Sequence, residues 1–295
     1  MNSVRLRGTG VAMVTPFKEN LEIDFDALGA LMQYTYADGK GIDYWVVMGT
    51  TGEPATLSKE EKIKVLQFVK ENNKAKLPIV YGIGGNDTQA VLKSIEETDF
   101  EGIDFLLSVS PYYNKPSQNG IFEHFRLIAD KSPVPVILYN VPGRTASNIS
   151  ANTTLRLAEH KNIIGVKEAS GDIVQCMQIA KYMPADFLLI SGDDLMTLPM
   201  IPFGGSGAIS VMANAFPKTF SKMVHSALEN DYQTASENLN KLLEINPLMY
   251  EESNPVGVKQ ALNFKGICSN QVRLPLVTAS EDLKNRLKNL INDID

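Results

Sequence analysis

Lys167 closes the run Ile163-Ile164-Gly165-Val166-Lys167, apolar residues ended by a single cation. A lysine at the C-terminal end of a buried strand has its ammonium stripped of water, which disfavours the charged form. The neutral amine is a nucleophile towards carbonyl carbon, so the position suits Schiff-base chemistry. Strand-end lysines are also often solvated or ion-paired, so the case depends on its surroundings. Tyr139-Asn140-Val141-Pro142-Gly143-Arg144 ends another apolar run. Its phenol can shuttle the proton that carbinolamine dehydration needs, and its guanidinium offers a bidentate fork to a carboxylate. Gly49-Thr50-Thr51-Gly52-Glu53 presents two hydroxyls and backbone N–H groups to a second carboxylate. Ser110-Pro111-Tyr112-Tyr113-Asn114 adds phenols, and Gly192-Asp193-Asp194 and Ile209-Ser210 end two later runs. Singly, Tyr139 reads as a core aromatic, Thr50-Thr51 as a turn and Arg144 as the partner of a surface acid. Together, at the ends of successive runs, they read as one site.

Eight β-rich runs carry these ends: Val11–Thr15, Tyr44–Met48, Ile79–Ile83, Phe105–Val109, Val136–Tyr139, Ile163–Lys167, Phe187–Ser191 and Gly207–Val211. Most are continuously apolar, as strands covered on both faces are. Helical patterns separate them at Asp24–Lys40, Gln118–Lys131, Ala151–Lys161, Asp172–Tyr182 and Asp194–Phe203. Two more begin at Ser58-Lys59-Glu60-Glu61, a capping box, and at Asp87-Thr88. The first of these should bury Ile63, Val65, Leu66, Phe68 and Val69. Eightfold strand–helix alternation predicts an α/β fold, a (β/α)8 TIM barrel, whose chemistry sits at the C-terminal strand ends. An open doubly wound sheet fits less well, since no GxGxxG opens a helix after the first strand. Pro217–Asn230 fits the last barrel helix, and the chain is helical thereafter, broken at Asn254-Pro255 and near Leu274-Pro275. The expected organisation is a catalytic barrel over residues 1–230 and a C-terminal helical extension over 231–295, packed on the barrel.

Composition narrows the partners. The chain has 295 residues, 44% hydrophobic and 21% charged, with a net charge of −6. No basic block appears, so no nucleic acid is expected. No apolar run approaches the roughly 18 residues of a membrane helix. The N-terminus lacks the apolar core of a signal peptide, and a cytoplasmic protein is expected. Cys176 and Cys268 are far apart in sequence and are expected to stay reduced there. His124, His160 and His225 are isolated, so no metal site is expected.

The motifs Gly49–Glu53, Pro111-Tyr112-Tyr113-Asn114-Lys115-Pro116, Tyr139–Thr145, Val166-Lys167-Glu168-Ala169-Ser170, Ser191–Asp194 and Asn254-Pro255 resemble, in order and over essentially the whole chain, the pyruvate-dependent class I aldolase family. Arg144 after Tyr139 resembles the branch that condenses pyruvate with L-aspartate 4-semialdehyde in diaminopimelate and lysine biosynthesis. Members cleaving N-acetylneuraminate or keto-deoxy sugar acids look different after that tyrosine, and a non-catalytic barrel would have lost the lysine, tyrosine or threonines. The resemblance implies a lyase in which Lys167 forms an imine with pyruvate and Tyr139 moves protons. Thr51 would link Tyr139 to Tyr113, which reaches a neighbouring subunit. Thr50 and Thr51 would hold the pyruvate carboxylate and Arg144 that of the semialdehyde, with Gly192 and the Ile209 carbonyl lining the site. No metal or organic cofactor is implied, and the assembly would be a homotetramer, a dimer of dimers. Met48 before Gly49 and Pro54 after Glu53 depart from the family pattern.

In members inhibited by L-lysine, the effector positions match Pro54, Ala55, Lys59, Lys62, Asn86, Ala90 and Tyr112. Asn86 and Tyr112 fit. Ala90 replaces the usual glutamate, and Lys59 and Lys62 stand where histidines are common, so weak or absent inhibition is expected.

Overall fold

The computed structural model describes residues 3–291 and 294, with side chains from Arg5 onward. The ends of the predicted tail, residues 292, 293 and 295, and of the N-terminal reading, residues 1 and 2, lie outside the described residues. Eight strands, β1 (Gly8–Ala12), β2 (Tyr44–Val47), β3 (Ile79–Gly82), β4 (Phe105–Val109), β5 (Val136–Asn140), β6 (Ile163–Glu168), β7 (Leu188–Ser191) and β8 (Gly205–Ser210), form a closed barrel in sequence order. The pairings run parallel. Strands β1, β2, β5 and β7 are buried at every residue, which is why their sequences do not alternate.

Between strands lie α1 (Phe25–Tyr36), α2 (Lys59–Asn72), α3 (Thr88–Glu96), α4 (Gln118–Lys131), α5 (Pro142–Thr145), α6 (Ala151–Leu157), α7 (Ile173–Tyr182) and α8 (Thr197–Met200). After β8 come α9 (Pro217–Leu228), α10 (Tyr232–Leu243), α11 (Val256–Phe264) and α12 (Glu281–Ile291). The capping box that opens α2 forms in both directions: Glu61 N donates to Ser58 Oγ at 3.2 Å and Ser58 N to Glu61 Oε2 at 2.9 Å. Asp24, Asp87, Ser117, Ser150 and Asp172 each cap a helix by accepting a backbone N–H.

The chain's contacts divide it into two compact units. One comprises residues 8–77 and 210–295, so the C-terminal helices belong with β1, β2, α1 and α2. The other runs from Pro78 to Ile209 and includes the Ser3–Leu6 turn.

Several elements differ from expectation. β1 begins at Gly8 rather than Val11. Gly8-Thr9-Gly10 has no strand-like composition, but a Cβ at Gly10 would stand 2.1 Å from the Tyr44 ring on β2, so only glycine fits. Met13 N still reaches Val46 O at 3.1 Å, whereas Val14 N turns to the side chain of Asn214 at 3.1 Å, and the ladder ends. β8 likewise begins at Gly205, where a Cβ would lie 2.8 Å from Met200 O. β2 ends at Val47 because Met48 takes φ 61, a left-handed conformation that leaves the strand. α6 stops at Leu157, where the His160 ring accepts Asn162 N at 3.1 Å and turns the chain towards β6. The predicted Asp194–Phe203 helix is reduced to α8 and a 3-10 turn at Ile201–Phe203, because Pro199 and Pro202 remove two N–H donors. On α2, Val65, Leu66 and Val69 are buried as expected, but Ile63 is exposed.

Candidate active site

Lys167 and Tyr139 are directly paired across β6 and β5, and both are buried. Lys167 Nζ stands 4.3 Å from the centre of the Tyr139 ring. Among the described residues no carboxylate and no hydrogen-bond acceptor claims this amine.

The next pair, Asn140 and Glu168, faces the opposite way, because strand side chains alternate. There the Glu168 carboxylate is buried and satisfied by neutral donors. Asn140 Nδ2 reaches both oxygens at 3.0 Å, Ser170 N donates at 2.8 Å and Gln175 Nε2 at 2.9 Å. Asn140 Oδ1 accepts Ile149 N at 2.9 Å, and Asn148 Nδ2 closes onto Gln175 Oε1 at 2.9 Å. A fully satisfied polar network around a buried carboxylate rigidifies what it touches. This one pins the ends of β5 and β6 and so fixes the side chains that face the other way.

Gly192 N donates to Glu168 O at 2.7 Å. A Cβ at position 192 would stand 2.9 Å from Lys167 Cε and 2.7 Å from Ala169 Cβ. Any side chain there would displace the lysine stem, which is the physical reason for glycine after Ser191. Arg144 is carried on α5, exposed, and its guanidinium has no hydrogen bond or ion pair among the described residues. Ile209, on β8, is buried. Tyr113 is 88% exposed at φ 72, an unusual conformation for an aromatic residue. Its loop is held by Asn114, whose Nδ2 donates to Asn86 O at 2.8 Å, and Tyr112 beside it is partly exposed.

In the other unit, Thr50–Gly52 form a 3-10 turn after β2, closed by Thr15 Oγ1 donating to Gly52 O at 2.7 Å. Thr51 is buried, and its Oγ1 accepts Asn254 Nδ2 at 3.0 Å. Glu53 leaves the turn at φ 54 and meets Lys259 Nζ at 2.5 Å, both side chains fully enclosed. Lys259 also donates to Gln271 O at 2.8 Å and lies 4.1 Å from the centre of the Phe17 ring. Burial pushes the Lys259 ammonium below the usual lysine range, against the pull of Glu53. Glu53 Oε2 accepts Arg273 N at 3.1 Å, and the Arg273 guanidinium grips Glu61 at 2.5 and 2.8 Å, holding its carboxyl down at about 2. Lys59, at the head of α2, is exposed; Lys62 is half-buried, and desolvation lowers its ammonium.

Residues 5–294 match the model of the Dihydrodipicolinate synthetase family. The chain belongs to that family. It is 54% identical to 4-hydroxy-tetrahydrodipicolinate synthase of Cytophaga hutchinsonii, over 95% of this chain and 94% of the relative. Identity to the corresponding enzyme of Flavobacterium psychrophilum is 52%, with 95% of each covered. The chloride-inhibited dihydrodipicolinate synthase of Acinetobacter baumannii, solved with pyruvate, superposes with a TM-score of 0.93 at 36% identity, covering 98% of both chains. These findings bear out the barrel and the family read from the motifs.

Within one unit, Lys167, Tyr139 and Gly192, which the sequence sets at the ends of three different runs, are found together; Thr50 and Thr51, adjacent in the sequence, lie in the other. Sequence reasoning gives Asn254 a place in the family motifs but no role, and misses Lys259. Asn254-Pro255 reads as a helix break, and Lys259 as one more residue of the tail, although a lysine in Val256-Gly257-Val258-Lys259 is out of place on an apolar stretch. That misplaced charge is the available signal. Elsewhere, His124 accepts or donates to Thr88 Oγ1 at 2.9 Å, and burial pushes its ring down to about 4. His160 and His225 bond Asp130 and Asp43, respectively. Burial pushes the thiols of Cys176 and Cys268 up to about 12 and 11, so neither is a ready nucleophile. Among the described residues no cluster of three or more His, Cys, Asp or Glu could hold a metal ion, and no helix is long and apolar enough to cross a membrane.

Proposed function

We propose that this protein has 4-hydroxy-tetrahydrodipicolinate synthase activity, condensing pyruvate with L-aspartate 4-semialdehyde by Schiff-base catalysis. The observation that carries it is Lys167: a buried strand-end amine, uncommitted to any acid among the described residues, lying against the Tyr139 ring. The amine adds to the pyruvate C2 carbonyl, and the carbinolamine loses water to give an iminium. That cation is the electron sink, so loss of a C3 proton to an enamine needs no metal or organic cofactor. The enamine carbon attacks the aldehyde carbon, whose oxygen takes up a proton. The semialdehyde's own amine then displaces Lys167 by transimination and closes the ring. Tyr139 delivers and removes the protons, with Thr51 and Tyr113 completing its relay. Thr50 and Thr51 hold the pyruvate carboxylate, Gly192 and the Ile209 carbonyl border the imine, and the exposed guanidinium of Arg144, unpaired among the described residues, takes the semialdehyde carboxylate. We place the protein in the cytoplasm, as a homotetramer in which the exposed Tyr113 serves a neighbouring subunit. Turnover of pyruvate with aspartate semialdehyde, and none with N-acetylneuraminate, is the deciding assay; the reverse pattern overturns the reading.

Arg144→Ala should separate the half-reactions. Losing a charge-assisted bidentate contact removes about 2–4 kcal/mol from semialdehyde use, roughly 30- to 700-fold in kcat/KM. Imine formation with pyruvate should be unchanged. Equal loss of both steps would make Arg144 a structural residue.

L-lysine should inhibit weakly or not at all. The positions matching the effector site carry Lys59 and Lys62, and Ala90 supplies no carboxylate for the ligand's amino groups. Like charge near a cationic ligand disfavours binding by on the order of 1 kcal/mol or more. The check is an inhibition curve at saturating pyruvate, and half-inhibition below about 1 mM, roughly −4 kcal/mol of binding, would refute it.

A further inference from the structure

We propose that Asn254 is a positioning residue that sets the direction of the Thr51 hydroxyl; this rests on the relay role proposed for Thr51. A threonine hydroxyl has one proton to give and two lone pairs to receive. Asn254 Nδ2 donates to Thr51 Oγ1 at 3.0 Å and fills one lone pair. What remains is one donor and one acceptor. A group that passes protons between two phenols needs that combination, because it must accept from one and donate to the other. Without the amide, the hydroxyl is free to spend its proton elsewhere.

The orientation of the Asn254 amide follows from what it leaves unpaired. Asn254 is buried, and its Oδ1 has no partner among the described residues. Among the described residues the amide now leaves Oδ1 and one N–H unpaired; turned over, it would have Oδ1 accept the Thr51 proton and would leave both N–H donors orphaned instead. An under-satisfied buried carbonyl is tolerated more often than orphaned N–H donors. The amide therefore donates, and the Thr51 proton stays available. The contact joins residues 203 positions apart. It gives the tail a part in the chemistry that no strand-end residue reveals.

The test is a double-mutant cycle on the full-length protein. Asn254→Asp keeps the side chain's shape but can only accept when ionised, so it captures the Thr51 proton. It should lower kcat at least about tenfold, less than the roughly 10²- to 10⁴-fold of a full general acid–base contribution because Asn254 acts only through Thr51. The Lys167–pyruvate adduct trapped by borohydride should still form. Thr51→Val removes the hydroxyl, and adding Asn254→Asp to that variant should lower kcat no further, because residues acting through one group are non-additive. Thermal melts of all four proteins control for folding. Asn254→Asp that lowers kcat equally in both backgrounds, or by less than about twofold alone, overturns the proposal. If Asn254→Asp is too unstable to assay, Asn254→Gln and Asn254→Ala go through the same cycle: a loss of kcat confined to the Thr51 background supports the proposal, and an equal loss in both overturns it. Wild-type turnover and adduct formation report separately on the proposed activity: their absence refutes that reading and the present inference with it, whereas their presence with an additive cycle refutes only the role of Asn254.

Discussion

Borohydride added with pyruvate leaves a reduced pyruvyl group on Lys167 and on no other lysine, and the protein loses activity. Lys259 is the internal control. It is even more deeply buried than Lys167, but its ammonium is held by Glu53, by Gln271 O and by the Phe17 ring. Burial alone therefore does not make a nucleophile; an uncommitted amine does. Lys167→Ala should accept no pyruvate and lose turnover by a factor on the order of 10⁶, as when the nucleophile of a covalent enzyme is removed. Peptide mapping of the reduced adduct decides the matter, and a pyruvyl mass on Lys259 or any other lysine would sink the mechanism.

The second large effect is on stability. Lys259→Met removes the ammonium and leaves the Glu53 carboxylate enclosed, with Arg273 N as its remaining donor among the described residues. Breaking a buried pair from one side costs about 3–5 kcal/mol, because the other charge is stranded. At about 2–4 °C per kcal/mol, the melting temperature should fall by roughly 6–20 °C. Glu53→Gln added to Lys259→Met removes the stranded charge, so the double variant should melt above the single one. A Lys259→Met protein that melts like wild type would mean that Glu53 finds water or another cation.

The parts of this molecule that local physics decides can be read from its sequence. Ser58 and Glu61 announce the start of α2 three residues apart, and their two hydrogen bonds form as expected. Lys167 shows itself because one cation ends an apolar run. What cannot be read depends on contacts between distant residues. The start of β1 is hidden because Gly8 and Gly10 are there to admit Asp43 and Tyr44, which lie on the next βα unit. The Val14 amide is satisfied by Asn214, 200 residues away. Asn254 and Lys259 lie in a segment that reads as a proline break followed by a helix, and only folding shows that they meet Thr51 and Glu53. The network behind Lys167 falls between these extremes. Asn140 and Glu168 lie within the family motifs, but strand alternation turns them away from the lysine into a separate scaffold.

Arg144 stands on a turn that closes upon itself. Arg144 N and Thr145 N both donate to Val141 O, at 2.9 and 3.1 Å, Ala146 N donates to Pro142 O at 2.8 Å, and Thr145 Oγ1 donates to Ser147 O at 2.8 Å. None of these bonds uses the Glu168 network that fixes Lys167. The side chain proposed to hold the semialdehyde carboxylate is thus mounted on a cassette, and the lysine proposed to form the imine on a separate chassis. If those roles hold, an evolving lineage, or an engineer, can exchange the cassette to recruit a different acceptor while Lys167 keeps its place.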